Sequence, residues 1–156
     1  MIYTHVDTPV GKLLVARGDL GLTSIQFQKN GTPAEPREEW ERDDSAFDDV
    51  REQFRAYFAR ELTKFDLRLA PRGTPFQLDV WGALRTIRYG ETRSYAQLAR
   101  MVGREKAVRA VGAANGANPL PIVIPCHRVI GSNGSLTGFG GGMAAKRFLL
   151  DLELYL

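Results

Sequence analysis

Cysteine is almost missing from this sequence: Cys126 is the only one in 156 residues. One thiol cannot close an internal disulfide, which fits a reducing compartment, and it cannot anchor a cysteine-rich zinc site, so no metal is expected. Long hydrophobic runs are also missing, and none approaches the roughly 18 residues of a membrane span. The first seven residues, Met1 to Asp7, lack the basic start and apolar stretch of a signal peptide. No Gly-Lys-Ser/Thr follows the glycines near the C-terminus, which excludes a phosphate-binding P-loop. With 44% apolar and 25% charged residues, the chain belongs to neither the disordered nor the fibrous class. The length suits one domain, or two small ones sharing a core. The expectation is a cytoplasmic protein without a membrane partner.

The net charge of +3 conceals a division. Residues 1–70 carry 10 Lys/Arg against 13 Asp/Glu, whereas residues 71–156 carry 11 against 5. In the second half Arg85, Arg88, Arg93, Arg100, Arg104, Lys106, Arg109 and Arg128 face only Glu91 and Glu105 along the stretch they occupy. Such asymmetry suits a half that binds a polyanion, joined to a mildly acidic one. Solvated charge on ordinary surface helices is the plainer alternative.

Short apolar runs at 2–6, 13–16 and 22–27, punctuated by Thr8-Pro9-Val10-Gly11, Gly18-Asp19 and Gly21, predict an antiparallel meander. Residues 30–44 are polar and proline-containing, hence a loop. From Ser45 the period changes: Phe47, Val50, Phe54, Tyr57, Phe58 and Leu62 fall at helical spacing, with Asp44 or Ser45 as N-cap. His5, in the first strand, reads as a packing or surface residue. Two prolines and a glycine in 70–75 mark a boundary, giving a first domain over 1–70, a linker over 71–74 and a second domain over 75–156.

Beyond the boundary, Thr74 and Pro75 predict a helix start, with Phe76, Val80, Leu84 and Ile87 turned inward. Ser94 predicts a second helix over 95–102, ended by Gly103, and a third follows over about 105–114. The latter pair has the form of a helix-turn-helix, a form that generic helix pairs share. In the third helix positions 110, 113 and 114 are all Ala, a face with little side-chain volume beside Arg109. A last helix is expected over 143–154.

The densest chemical signal is residues 118–131. Pro119, Pro121 and Pro125 stiffen the approach to Cys126, and His127 and Arg128 follow it. A lone cysteine is ordinarily a buried structural thiol. Imidazole and guanidinium neighbours give an electropositive setting that favours the thiolate and a nucleophilic role.

The ordered set Asn118, Pro125-Cys126-His127-Arg128, Gly141-Gly142, Lys146 and Glu153 closely resembles the O6-alkylguanine-DNA alkyltransferases, whose signature Ile-Pro-Cys-His-Arg-Val stands here at 124–129. Tyr89-Gly90, Ser94-Tyr95 and residues 107–112 are similar to that family's helix-turn-helix, so the resemblance covers about 75–153. The N-terminal third resembles it only through the hairpin at Thr8 and the strand order. The resemblance implies an α+β fold: a small N-terminal antiparallel sheet with a helix, ribonuclease H-like, and a C-terminal helical domain with a winged helix-turn-helix.

It implies direct repair of double-stranded DNA by irreversible transfer of an alkyl group from guanine O6, with thymine O4 a further candidate, to Cys126. The protein would act once per molecule, without a cofactor and as a monomer. By the same resemblance His127 takes the thiol proton through a water, Glu153 orients the imidazole, Asn118 braces the turn, and Tyr95 donates to the leaving guanine. Val129, Phe139, Gly140 and Met143 would line the base pocket, the carbonyls of Cys126 and Val129 and the Gly140 N–H reading the base edge. Arg109 would fill the stack vacated by a flipped nucleotide from the minor groove, with Arg104 and Ser132 on phosphates. Phe139 stands where many relatives have Tyr, and Gly140 where a larger side chain is common, which implies a pocket open to bulky adducts. Two other classes compete: a lesion-binding or winged-helix regulatory protein without the reaction, which Cys126 argues against, and a cysteine hydrolase, for which no oxyanion donors stand out.

Overall fold

Strands β1 (Ile2–Thr8), β2 (Gly11–Gly18) and β3 (Gly21–Gln26) form the meander that the punctuation predicts. β1 pairs antiparallel with β2 from Ile2–Arg17 to Thr8–Gly11, and β2 pairs antiparallel with β3. At the first turn the Thr8 hydroxyl donates to the Gly11 carbonyl at 2.6 Å. Leu13 to Ala16, consecutive on the central strand, are fully buried, so both faces of β2 are covered. The computed structural model describes residues 1–154. Tyr155 and Leu156, the end of the expected second domain, lie outside the described residues.

The sheet is not wholly antiparallel, and residues 30–44 are not wholly loop. Glu41–Arg42 forms β4, which pairs parallel with β1 and gives the order β3-β2-β1-β4. Backbone bonds from Glu41 N to Met1 O (3.1 Å) and from Asp43 N to Tyr3 O (3.0 Å) hold it. Two charged residues carry no apolar alternation, so nothing in their side chains announces a strand. At the other edge, Leu22 N donates to Arg68 O and Ala70 N to Leu22 O, so residues 68–70 run along β3.

The helix expected from Ser45 begins as a 3-10 turn (Asp44–Phe47) capped by Asp43, whose carboxylate accepts from Ala46 N, and continues as α1 (Asp48–Phe58). The cap is therefore Asp43 rather than Asp44 or Ser45. Phe47, Val50, Phe54 and Tyr57 are buried as their spacing predicts. Leu62 is not part of the helix. Arg60 takes a left-handed φ of 62°, and the six-to-one bond from Glu61 N to Ala56 O ends α1. His5 packs edge-on against Tyr3, and its Nε2 lies 3.3 Å from the Ala34 carbonyl oxygen.

The chain divides into two compact units, one ending at Pro71 and one beginning at Arg72. In the second, α2 (Pro75–Leu84) opens with a reciprocal capping box between Thr74 and Gln77, with Pro75 at the first position. It ends three residues before Ile87, which is nonetheless buried, while Phe76 is only half-buried. β5 (Arg93–Ser94) leads straight into α3 (Tyr95–Met101), whose Ser94 and Gln97 form a second capping box. Gly103, at φ 71°, closes α3: Gly103 N bonds to Arg100 O and Arg104 N to Ala99 O. A side chain there would strain the left-handed backbone that the closure requires.

Helix α4 (Val108–Gly116) starts later than 105, because Ala107 N bonds to Arg104 O and residues 104–107 are spent in a turn. The predicted small face also divides. Ala110 and Ala113 are exposed beside Arg109, whereas Ala114 is buried and its carbonyl accepts from Trp81 Nε1 at 2.8 Å. A 3-10 turn (Cys126–Arg128) follows, then β6 (Val129–Ile130), parallel to β5, and α5 (Met143–Leu154). Among the described residues no helix is long and apolar enough to cross a membrane.

Candidate active site

The short turn carrying Cys126 is held from both sides. Asn118 Nδ2 donates to the Ile124 carbonyl at 2.8 Å, and Asn118 Oδ1 accepts from Leu120 N at 2.9 Å. One side chain thus ties the two ends of the proline-rich approach. Asn115, buried on α4, donates from Nδ2 toward the Cys126 carbonyl at 3.5 Å, and its Oδ1 has no hydrogen-bond partner among the described residues. The Cys126 side chain itself is buried.

Burial decides the state of the thiol. Removal from water pushes Cys126 up to about 11, against smaller opposing contributions from the Asn118 side chain and the Lys146 charge. Burial therefore outweighs the electropositive setting read from the adjacent residues. Arg128 turns away from the sulfur: Nε and Nη2 donate to Glu153 Oε1 and Oε2 at 2.7 and 3.0 Å, and Nη1 donates to the Ile87 carbonyl at 2.7 Å. Adjacency in sequence placed the charge beside the thiol, but the 3-10 turn sends the guanidinium into the core.

His127 is fully buried, and its Nε2 lies 2.7 Å from Glu153 Oε2. Burial favours the neutral imidazole and holds His127 below its usual range, although Glu153 works in the other direction. For Glu153 burial is opposed and outweighed by bonds and charge from His127 and Arg128, which hold the carboxyl at about 2. An ionised carboxylate only accepts, so it assigns the imidazole proton to Nε2 and leaves the lone pair on Nδ1. Nδ1 is buried and has no hydrogen-bond partner among the described residues. A neutral base with one lone pair unspent thus adjoins the thiol in sequence and is oriented by a carboxylate.

Lys146, on α5, has no exposed surface. Its Nζ donates to the Val129 carbonyl at 2.6 Å and to the Thr137 carbonyl at 2.7 Å. The Val129 carbonyl, expected to read a base edge, is therefore already engaged by an ammonium. The Tyr95 hydroxyl lies 3.0 Å from Thr137 Oγ1, and a Cβ added at Gly112 would touch the Tyr95 ring at 3.6 Å. Phe139 is half-buried, while Gly140, Met143 and Ser132 are exposed. Arg109 and Arg104 are exposed, the Arg104 guanidinium 6.0 Å from the Phe76 ring centre. Among the described residues no group of three or more His, Cys, Asp or Glu side chains could hold a metal.

The structure bonds His127 to Glu153 and uses Asn118 to brace the chain leading into the Cys126 turn. Asn115, Thr137 and the roles of Arg128 and Lys146 were missed. Their signal lay in helical spacing: Asn115 follows Val111 by four, and Lys146 precedes Leu149, Leu150 and Glu153 by three, four and seven. Both polar residues thus sit on the buried stripe of their helix.

A buried thiol next to an oriented imidazole, in an arginine-rich helical unit, defines a protein whose chemistry runs through one cysteine. Residues 75–155 match the DNA binding domain, and residues 1–71 the ribonuclease-like domain, of 6-O-methylguanine DNA methyltransferase. The chain belongs to this family of cysteine methyltransferases. It is 47% identical over 153 residues to the methylated-DNA–protein-cysteine methyltransferase of Methanosarcina acetivorans, covering 98% of each chain. It is 50% identical over 151 residues to that of Mycobacterium tuberculosis, covering 97% of this chain and 91% of the relative. The crystal structure of Mycobacterium tuberculosis OGT in complex with DNA superposes with a TM-score of 0.92 at 49% identity, covering 99% of this chain and 93% of that one. A methyltransferase from Methanococcus jannaschii matches with a TM-score of 0.64 at 25% identity, covering 98% and 94%.

Proposed function

We propose that this protein repairs alkylated DNA by moving an alkyl group from guanine O6 to Cys126, once per molecule. The observation that carries the reading is the Cys126 turn with its neighbour His127, whose Nε2 is fixed by Glu153 and whose Nδ1 is unspent. Relatives at about half identity, named for transfer from methylated DNA to a protein cysteine, support it.

The thiol is protonated at neutral pH, so a base must act as the alkyl carbon arrives. His127 Nδ1 takes that proton through a bridging water, and the sulfur attacks the carbon in line with the C–O6 bond. As the S–C bond forms, the C–O6 bond breaks and the electron pair passes to the guanine. Tyr95 donates a hydrogen bond that limits the developing charge, and the guanine takes up a proton while the imidazolium returns its own to solvent. The net change exchanges the thiol proton for the alkyl group. A thioether is not hydrolysed under these conditions and no second thiol is available, hence one turnover. O4-alkylthymine offers the same displacement.

A base stacked in a duplex cannot meet a buried sulfur, so the nucleotide must be extruded. The exposed face of α4, with Arg109 beside Ala110 and Ala113, suits a shallow minor-groove approach in which the arginine fills the gap. Arg104 and Ser132 would take phosphates. The second domain, from 75 onward, would bind and react, and residues 1–70 would support it, in a protein that acts as a monomer.

The test is intact mass after incubation with a duplex carrying one O6-methylguanine. Gain of one methyl group in place of a hydrogen, mapped to Cys126 and lost in Cys126→Ala, is expected. Unmodified protein that still retains the duplex would replace this reading with that of a lesion binder.

A further inference from the structure

Tyr95 is held at two points. Its ring lies against α4 at Gly112, and its hydroxyl meets Thr137 Oγ1 at 3.0 Å. Thr137 sits in an otherwise exposed segment, yet its carbonyl is fixed at 2.7 Å by the fully buried ammonium of Lys146. The same ammonium bonds the Val129 carbonyl on β6, the strand paired with β5, from which Tyr95 directly follows. Thr137 and Tyr95 are thereby set on one frame despite lying 42 residues apart.

We infer that Thr137 is a positioning residue for alkyl transfer, acting through Tyr95. This rests on the proposed role of Tyr95 as donor to the leaving guanine. A phenol that donates its proton outward must accept any second hydrogen bond on its oxygen. In the reacting complex the Thr137 hydroxyl is therefore the donor to Tyr95, and the Tyr95 O–H is left pointing at the base. Donation into the phenol oxygen disposes of the competing rotamer, in which Tyr95 spends its proton on Thr137. The proton network is then ordered as Thr137 to Tyr95 to guanine, with the Lys146–Thr137 bond as its anchor.

Single-turnover transfer from a saturating O6-methylguanine duplex tests this, with wild type, Thr137→Val, Thr137→Ser, Tyr95→Phe and the Tyr95→Phe/Thr137→Val double variant. Thr137→Val keeps the shape and removes the hydroxyl. It is expected to slow the chemical step about tenfold without changing duplex affinity, and Thr137→Ser to restore it to within about twofold. In the Tyr95→Phe background Thr137→Val should have no further effect, because the phenol oxygen it served is gone. An equal slowing by Thr137→Val in both backgrounds, or a Ser variant as slow as Val, overturns the inference. So does a Thr137→Val protein with the wild-type rate, while the proposed function stands. Wild type that transfers no methyl group removes that function and this inference together.

Discussion

Glu153 Oε2 lies 2.7 Å from His127 Nε2, while the other oxygen of the same carboxylate takes Arg128 Nε at 2.7 Å. One side chain at the end of α5 therefore sets the imidazole tautomer and neutralises a buried guanidinium. Glu153→Gln separates these duties. An amide can present its NH2 to Nε2, which moves the imidazole proton to Nδ1 and removes the base. The transfer rate should fall by about 10²- to 10⁴-fold. The variant should also lose about 3–5 kcal/mol of stability, since Arg128 keeps its charge without its partner. Urea unfolding and single-turnover rates check both, and a stable variant with an undiminished rate would contradict the arrangement.

The alkaline limb of stability is expected to belong to Cys126. Its folded value of about 11 lies above the ordinary 9.0, so the contribution is intact below pH 9 and is lost as pH rises through 11. Two units correspond to at most about 3 kcal/mol. Urea titrations of wild type and Cys126→Ser should run parallel up to pH 9 and then converge or cross as wild type weakens. Curves that remain parallel to pH 11 would show a thiol with ordinary solvation. The same burial predicts slow alkylation by iodoacetamide at pH 7.

The order of elements was legible because capping residues speak locally. Thr74-Pro75 and Ser94 mark α2 and α3, and the Pro-Cys-His-Arg segment marks the site. What escaped was decided by partners distant in sequence. β4 is a strand only because the carbonyls of Met1, just before β1, and of Tyr3, on β1, are offered to it. Arg128 reads as a cation beside the thiol until Glu153, 25 residues on, claims it. Asn115 and Lys146 were visible as polar residues on apolar stripes, but their targets, the Cys126 and Val129 carbonyls, are backbone atoms that no side-chain pattern reveals.

His127 fixes the acid side. Buried and held below 6.5, it stays neutral in the folded protein while the unfolded chain takes up a proton near that value. Stability from this group is present above pH 6.5 and is lost as pH falls below it. Glu153, at about 2 instead of 4.5, adds a loss of the same sign as pH falls from 4.5 toward 2. The acid limb of the transfer rate should fall below pH 6.5, because burial keeps the imidazole neutral past the point at which a free one takes up its proton. A rate that halves near pH 6.5 would indicate an exposed, ordinary imidazole.

Replacing Arg109 is expected to separate reaction from delivery. It is exposed on α4. Arg109→Ala should therefore leave reaction with free O6-benzylguanine within about twofold of wild type, yet slow repair in a duplex by tenfold or more, a step worth about 1.4 kcal/mol. Equal slowing on both substrates would argue against a role in base extrusion.

Gly140 and Gly142 sit two residues apart and should answer opposite questions. Gly142 has φ 90°, in the left-handed region, so alanine there strains the turn that begins α5. A Cβ at Gly140 meets nothing within 4 Å, and its backbone carries no left-handed φ. Gly140→Ala is therefore expected to fold with unchanged or slightly raised stability, by up to about 1 kcal/mol, because it restricts the unfolded chain. If Gly140 opens the pocket wall beside Phe139, larger side chains at 140 should lower the benzyl-to-methyl rate ratio in stepwise order, Ala before Val before Leu, while the methyl rate stays nearly constant. The ratio is the informative quantity, since a general disturbance of the loop would slow both substrates together. A wild-type protein that handles benzyl far more slowly than methyl in the same duplex would show that the missing side chain leaves no usable room.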